Sequence, residues 1–540
     1  MRRVIFVFVM FVGRLVMADT KPNIVFILAD DLGIGDVECY GKDRCSIDTP
    51  YIDSLAAEGV RFTDAHVNAS ICVPTRRAIM TGRLSWRFGG NVNGGPWGFM
   101  GRCPNTEKYT LGKLFKRAGY HTGYVGKWHL GTLMTTTDGK NQGPRNVDFT
   151  KPLRYGPVQF GFDESFILPG SLDMFPYAFA KNNLWQGQVT ATKGWSAFNR
   201  VGPAEKDFQD HEVLETFYGQ AETYLEGRTT DQPFFLYLAL TAPHTPISPG
   251  VKWQGKSKLG IYGDFVMEVD HAVERVMNAL KANGLDDNTL VLFSSDHGPG
   301  AYAGNIRKAT PGQIRKLEEL GHYSSGPYRG YKFSIYEGGL RVPLIARWPG
   351  VIPTGSTCDS LVGLCDLFAT FADITDQDLN PDEAPDSISF APLLKNPDRP
   401  GKRTSLIMNS VMHFAIRQDE WKLCIGAGSG MPVKFDVGVG NEPTPEVAWR
   451  KALDQFGRKP MEADLLKAPF VQLFNLANDP HEDVNLAARY PDRVDAMVKL
   501  LQQQVQNGRS THGPKLENDR SVRIVNINDR RLPAFVRSGK

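Results

Sequence analysis

Residues 23–33 read NIVFILADDLG. From Ile24 to Leu28 the side chains are apolar without alternation, the pattern of a strand covered on both faces inside a parallel sheet. The run stops at two carboxylates, Asp30 and Asp31. The same grammar returns in TLVLFSSDHG, residues 289–298, where an apolar strand from Leu290 to Phe293 is followed by Asp296 and His297. Helices and strands alternate between the two. TPYIDSLAAEG (49–59) predicts a helix with Thr49 as its cap, Pro50 at its first position and Gly59 past its end. TLGKLFKRAGYHTGYVG (110–126) predicts a capped helix running into a strand, and PFFLYLAL (233–240) another buried strand. From Asp264 to Ala282, Val266, Val269, Val273, Val276 and Leu280 recur three and four apart, the single apolar stripe of a helix. This alternation predicts an α/β fold on a doubly wound, mostly parallel sheet. Such sheets bind ligands beyond the carboxyl ends of their strands, where both acidic pairs fall.

Further out the character changes. Near Pro392 the pattern gives way to HFAIRQDEWKLCIG (413–426), a hairpin of Phe414–Arg417 and Trp421–Ile425, and then to a helix from Asp492 to Gln506. The organisation read from this is a larger α/β domain over 19–390 and a smaller C-terminal α+β subdomain over 391–540, with a small antiparallel sheet and a helix. Arg520, Arg523, Arg530, Arg531, Arg537 and Lys540 read as a solvated tail. Residues 1–18 carry Arg2-Arg3, an apolar run and a small-residue end at Val16-Met17-Ala18, the pattern of a signal peptide. No later run is long enough to span a bilayer, so the mature protein is expected to be exported, periplasmic or secreted. A net charge of +3 over 540 residues gives no case for nucleic acid. The seven cysteines are too few for a disulfide scaffold, and six of them read as buried thiols with one or two bridges.

The seventh is Cys72, in ICVPTRRAIMTGR (71–83), at the start of a short helix with Arg76 one turn along. A helix start offers free N–H groups and partial positive charge, which suit an anion. Asp30, Asp31, Asp296 and His297 can converge on one divalent cation, and carboxylates favour calcium or magnesium. GKWHLG (126–131) places Lys127 and His129 two apart, on one face if the backbone is extended. APHTP (242–246) puts His244 just past a buried strand, and Lys332 precedes the turn of EGGLRVP (337–343).

Together these motifs resemble the type I, arylsulfatase-like sulfatases of the alkaline phosphatase superfamily. Cys72-Val73-Pro74-Thr75-Arg76 matches their C-x-P-x-R signature, and the resemblance continues through GKWHLG, APHTP, SDHG, EGGLRVP, LFNLANDPHEDVNLA and NGRST. It implies an alkaline-phosphatase-like sandwich and a Cys72 converted to Cα-formylglycine by a formylglycine-generating enzyme. It implies a metal, usually calcium, held by Asp30, Asp31, Asp296 and His297 together with residue 72. Arg76, Lys127, His129, His244 and Lys332 match the residues that bind sulfate and move protons. In that chemistry one hydroxyl of the formylglycine hydrate takes the sulfuryl group and the other, deprotonated, expels sulfate. His129 matches the base of the second step, and Lys332 or His244 the acid of the first.

One position departs from the family pattern. His297 stands where many sulfatases have Asn, and imidazole suits manganese or zinc better than calcium. Formylglycine-dependent phosphodiester and phosphonate hydrolases carry an Asp-His pair there, whereas the tandem Asp30-Asp31 resembles the sulfatase branch. A catalytically silent sugar-binding protein is the alternative if Cys72 stays a thiol. FGFDESFILPGSLDMFPY (160–177) resembles a pocket-forming stretch of carbohydrate sulfatases. A sulfated carbohydrate, such as a 6-O-sulfated galactose or N-acetylgalactosamine, is therefore the expected substrate. Trp86, Arg87, Trp97 and Trp185 are candidate sugar or anion contacts, with core packing the plainer reading of each Trp.

Overall fold

The computed structural model describes residues 21–90, 97–194, 200–303, 314–411, 413–426, 428–430 and 469–525. The expected signal peptide and the tail cations from Arg530 onward lie outside the described residues.

The stretch that opens the chain is the spine of the fold. Strand β1 (Asn23–Asp30) is buried along its whole length. It lies in parallel between β5 (Phe234–Pro243) and β6 (Thr289–Ser295), the two other long apolar runs. Beyond β5 come β3 (His121–Lys127) and β4 (Glu164–Leu168), both parallel. Beyond β6, β7 (Leu344–Arg347) runs antiparallel and pairs with β2 (Val60–Phe62). Short edge segments at 356–358, 180–181 and 184–185 bring the sheet to ten strands among the described residues. Since β1 has later strands on both sides, the sheet reverses its winding there, which places a crevice at the end of β1.

Helices cover the sheet as their patterns predict. α1 (Pro50–Ala57) begins at the expected proline, but Thr49 does not cap it. Its hydroxyl instead accepts from the N–H of Glu38. α3 (Leu111–Arg117) is capped by Thr110, whose hydroxyl accepts from the N–H of Lys113. α4 is Val213–Glu226 and α5 Ile261–Ala282, the latter with its whole valine stripe buried.

The C-terminal hairpin is β9 (Phe414–Gln418) and β10 (Trp421–Ile425), flanked by β8 (Ser405–Asn409) and β11 (Val471–Asn475) in a separate antiparallel sheet. Helix α6 (Pro491–Gln506) packs on it through Val494, Met497, Val498, Leu501 and Val505. The seams between the two sheets are charged and buried. Arg87 pairs with Asp386 at 2.8 Å, and Arg403 pairs with Asp366.

Two expectations are corrected here, the disulfide bridges and Arg87 as an anion contact, while Trp86 takes its plainer reading of core packing. All seven cysteines are free, so no bridge forms; five are buried and Cys39 and Cys45 partly so. Trp86 and Arg87 are structural: Trp86 is buried edge-to-face against Phe414, and Arg87 is consumed by Asp386. Trp185 packs edge-to-face on Phe149 at the sheet margin. The side chain of Trp97 lies outside the described residues.

Candidate active site

Helix α2 (Cys72–Thr81) starts at Cys72 and buries every residue, so the thiol is held at a fixed helix start beneath the sheet crevice. Its Sγ lies 3.2 Å from His297 Nε2 and 3.7 Å from Asp30 Oδ1. Asp30, Asp31, Cys72 and His297 each bring one ligand atom within 4.8 Å of the others. Asp296 borders this cluster: its Oδ1 is 3.4 Å from His297 Nε2 and accepts from the N–H of Asp31, while Oδ2 accepts from Arg76 Nε at 2.9 Å. Two carboxylates and an imidazole are hard and borderline donors that fit a divalent cation.

Fixed cations surround the acids. Lys127 Nζ is 2.6 Å from Asp30 Oδ2, and Lys332 Nζ is 2.7 Å from Asp31 Oδ1. Arg76 Nη2 lies 3.6 Å from Asp30 Oδ1. Lys127 reaches this point because β3 runs close to β5, and a Cβ on Gly126 would sit 1.8 Å from the carbonyl oxygen of Ala239. Burial pushes the Asp30 carboxyl up, but Lys127, His244, Arg76 and Lys332 outweigh it and hold the group well below the usual range. Asp31 behaves alike, with His244, Lys332 and His297 outweighing burial. Both lysines are disfavoured by burial yet held above their ordinary value, Lys127 chiefly by Asp30 and Lys332 by Asp31. Burial pushes the Cys72 thiol up to about 12. Burial, then Lys127 and Arg76, hold His129 well below its ordinary value, and its Nδ1 has no hydrogen-bond partner among the described residues.

Lys127 and His129 do not share one strand face as expected. β3 ends at Lys127, and His129 takes a left-handed φ of 49°. Asp31 (φ 61°) and Phe333 (φ 74°) do likewise on two other loops of the site. A left-handed non-glycine costs on the order of 1–3 kcal/mol and persists where surrounding structure over-determines it. Three such residues at one crevice mark loops built for position.

Two site residues escaped the sequence. Tyr302 donates from Oη to Asp31 Oδ2 at 2.6 Å and receives Lys332 Nζ at 3.0 Å. Asp173, within FGFDESFILPGSLDMFPY, is buried with Oδ1 3.9 Å from His244 Nδ1, and that oxygen accepts no hydrogen bond among the described residues. Its Oδ2 accepts from Arg200 at 2.8 Å. No local pattern marks either one: a tyrosine or aspartate in a loop is unremarkable until the fold brings it to His244.

The doubly wound sheet with an acidic cluster at its switch point agrees with the alkaline-phosphatase-like architecture of ester hydrolases. Within that class the sulfatase family profile matches residues 22–377, and the chain belongs to the sulfatases, enzymes that hydrolyse sulfuric esters. It is 30% identical over 521 residues to an N-acetylgalactosamine-6-O-sulfatase of Bacteroides thetaiotaomicron, covering 89% of this chain and 93% of that one. It is 29% identical over 494 residues to the N-acetylgalactosamine-6-sulfatase of Sus scrofa, covering 89% of this chain and 85% of the other. A solved sulfatase from glycosaminoglycan metabolism in Bacteroides thetaiotaomicron superposes with a TM-score of 0.73 at 28% identity, over 90% of this chain and 99% of that one.

Proposed function

We propose that this sulfatase cleaves sulfate monoesters of carbohydrates, with residue 72 acting as Cα-formylglycine after conversion by a formylglycine-generating enzyme. The observation that carries the reading is the convergence on Cys72 of His297, at 3.2 Å, and Asp30, at 3.7 Å, inside a ring of buried cations. As formylglycine the residue offers two hydroxyls on one carbon, one to accept the sulfuryl group and one whose deprotonation expels sulfate. A divalent cation held by Asp30, Asp31, residue 72 and His297, with Asp296 at its edge, would supply charge to bind sulfate and to acidify a hydroxyl. Oxygen donors favour calcium there, and His297 admits manganese.

The chain's own side chains supply the rest. Lys127, Lys332 and Arg76 face three carboxylates, so the cluster is balanced before an ion enters, and a dication leaves positive charge for an anionic ester to answer. His129, held below its ordinary value by burial and by Lys127 and Arg76 and with Nδ1 unpartnered among the described residues, is the candidate to take a proton. Lys332 and His244 stand on the other side of Asp31 and protonate the departing sugar oxygen. The free acceptor of Asp173 suits a sugar hydroxyl beside His244. A 6-sulfated N-acetylgalactosamine is the substrate class that the two N-acetylgalactosamine-6-sulfatase relatives favour.

Export fits the leader-like residues 1–18, and no described helix is long and apolar enough to cross a membrane. The test is mass spectrometry of the peptide bearing Cys72 alongside turnover of a 6-sulfated sugar. Formylglycine lowers the peptide mass by about 18 Da, or leaves it nearly unchanged as the hydrate. An active enzyme carrying only unmodified cysteine sinks the reading.

A further inference from the structure

Lys332 sits on a loop whose backbone is gripped from several directions. Its own N–H donates to the Pro299 carbonyl at 2.8 Å, and that of Phe333 to Ser70 at 2.8 Å. The N–H of Ile335 donates to Ser429 at 2.7 Å, and that of Glu337 to Glu482 Oε2 at 2.6 Å. Two of these anchors belong to the C-terminal half of the chain. A third anchor joins them: Tyr336 Oη donates to Gln472 Oε1 at 2.7 Å.

The strongest grip is ionic. Lys422 Nζ, from β10, lies 2.9 Å from Glu337 Oε1 and 2.8 Å from Glu482 Oε1, and all three side chains are fully buried. The other oxygen of Glu337 receives His66 Nε2 at 2.7 Å and Arg341 Nε at 2.8 Å. Arg329, at the root of the loop, donates to the Glu482 carbonyl. A buried ion trio contributes little net stability relative to apolar packing of the same shape, because desolvating each charge costs several kcal/mol, on the order of the attraction regained. Its attested use is to fix one arrangement against others. The arrangement here contains a strained residue, Phe333 at φ 74°, immediately beside Lys332. Strain of that kind holds only where the surroundings leave no alternative.

We propose that Lys422 and Glu482, in the small C-terminal sheet and the loop after it, are positioning residues for Lys332. They hold Glu337 and so the loop that aims Lys332 Nζ at Asp31, making the C-terminal subdomain part of the catalytic apparatus. The inference rests on the reading of Lys332 as a group that meets the substrate.

The test compares full-length Lys422→Met and Glu482→Gln with Lys332→Ala, on nitrophenyl sulfate and on a 6-sulfated N-acetylgalactosamine. Each clamp variant is expected to lower kcat by about 10- to 100-fold. KM should stay within about twofold, and the ratio of losses on the two substrates should follow that of Lys332→Ala. Lys422→Arg should restore most of the rate. If the clamp variants melt cooperatively yet keep wild-type kcat, or lose both rates in a ratio unlike Lys332→Ala, the inference is overturned. Glu482→Gln keeps the acceptor for the Glu337 N–H, so it serves where Lys422→Met does not fold. Should Lys332→Ala damage both substrates equally, the acid role of Lys332 falls, and the clamp is still judged by whether its variants match that profile.

Discussion

Tyr302 Oη lies 3.0 Å from Lys332 Nζ and 3.4 Å from His244 Nε2, so one phenol bridges the two groups proposed to protonate the leaving oxygen. It also donates to Asp31, which ties their placement to a proposed metal ligand. Tyr302→Phe keeps the ring and removes these bonds. It is expected to lower kcat on a sulfated sugar by about tenfold, the scale of one misplaced positioning contact. Metal affinity, measured by titration of the stripped protein, should change far less than in Asp31→Asn. Wild-type kcat would show that the bridge is idle.

Cys72 is 4% exposed and no larger than its site requires, so Cys72→Ala leaves a small void and should unfold nothing. Turnover should vanish while substrate still binds, as read by calorimetry. A variant with more than a trace of turnover excludes residue 72 as the nucleophile's source.

Asp30 and Asp31 are buried and lie close to Cys72 and His297. An ion there adds binding free energy to the folded state, so chelation should lower Tm as well as activity. Asp30→Asn and Asp296→Asn should weaken the ion strongly, and calcium should be compared with manganese because of His297. A Tm indifferent to chelator and to either ion counts against the site.

Away from the site, Glu268 on α5 is fully buried, accepts from the Gly250 N–H at 2.8 Å and leaves Oε1 without a hydrogen-bond partner among the described residues. Burial raises its carboxyl from 4.5 to about 7, with Glu215 adding to the rise and Lys252 opposing it. A folded-state value above the unfolded one means the fold prefers the protonated form. Its contribution to stability is complete below pH 4.5 and is lost as pH rises through about 7. The full swing is at most about 3 kcal/mol. Urea midpoints at acidic and at neutral pH should therefore separate less in Glu268→Gln than in the wild type, and an unchanged separation refutes the assignment.

The sheet was legible because its strands are apolar on both faces. NIVFILAD and TLVLFSS admit few other readings, and the acids that end them fall at the switch point by topology alone. Cys72, Arg76, Lys127 and Lys332 were legible through family motifs, and the fold brings them together. Legibility failed where geometry is decided at long range. Asp173 and Tyr302 meet His244 across gaps of dozens of residues, and Lys422 meets Glu337 across a separation of 85 residues. Trp86 and Arg87 were open as sugar contacts because the burial of an Arg–Asp pair cannot be seen until Asp386 arrives. The free cysteines follow from the same limit: composition bounds how many bridges can form, but only placement says whether any two meet.

The proton donor itself can be tested by changing the leaving group. A nitrophenolate departs without help, whereas a sugar alkoxide is so basic that it must be protonated as the S–O bond breaks. Lys332 and His244 both sit against Asp31, at 2.7 Å and 3.8 Å, while Lys127 sits across the cluster on Asp30. Lys332→Ala and His244→Ala should each cost more on a sulfated sugar than on nitrophenyl sulfate. Each loss should be partial, because the other donor remains. Lys127→Ala should damage both substrates alike, since both present the same sulfate to it. Equal losses on both substrates for both donor variants would place the proton elsewhere, and the sulfatase assignment, which rests on the family match, would stand without them.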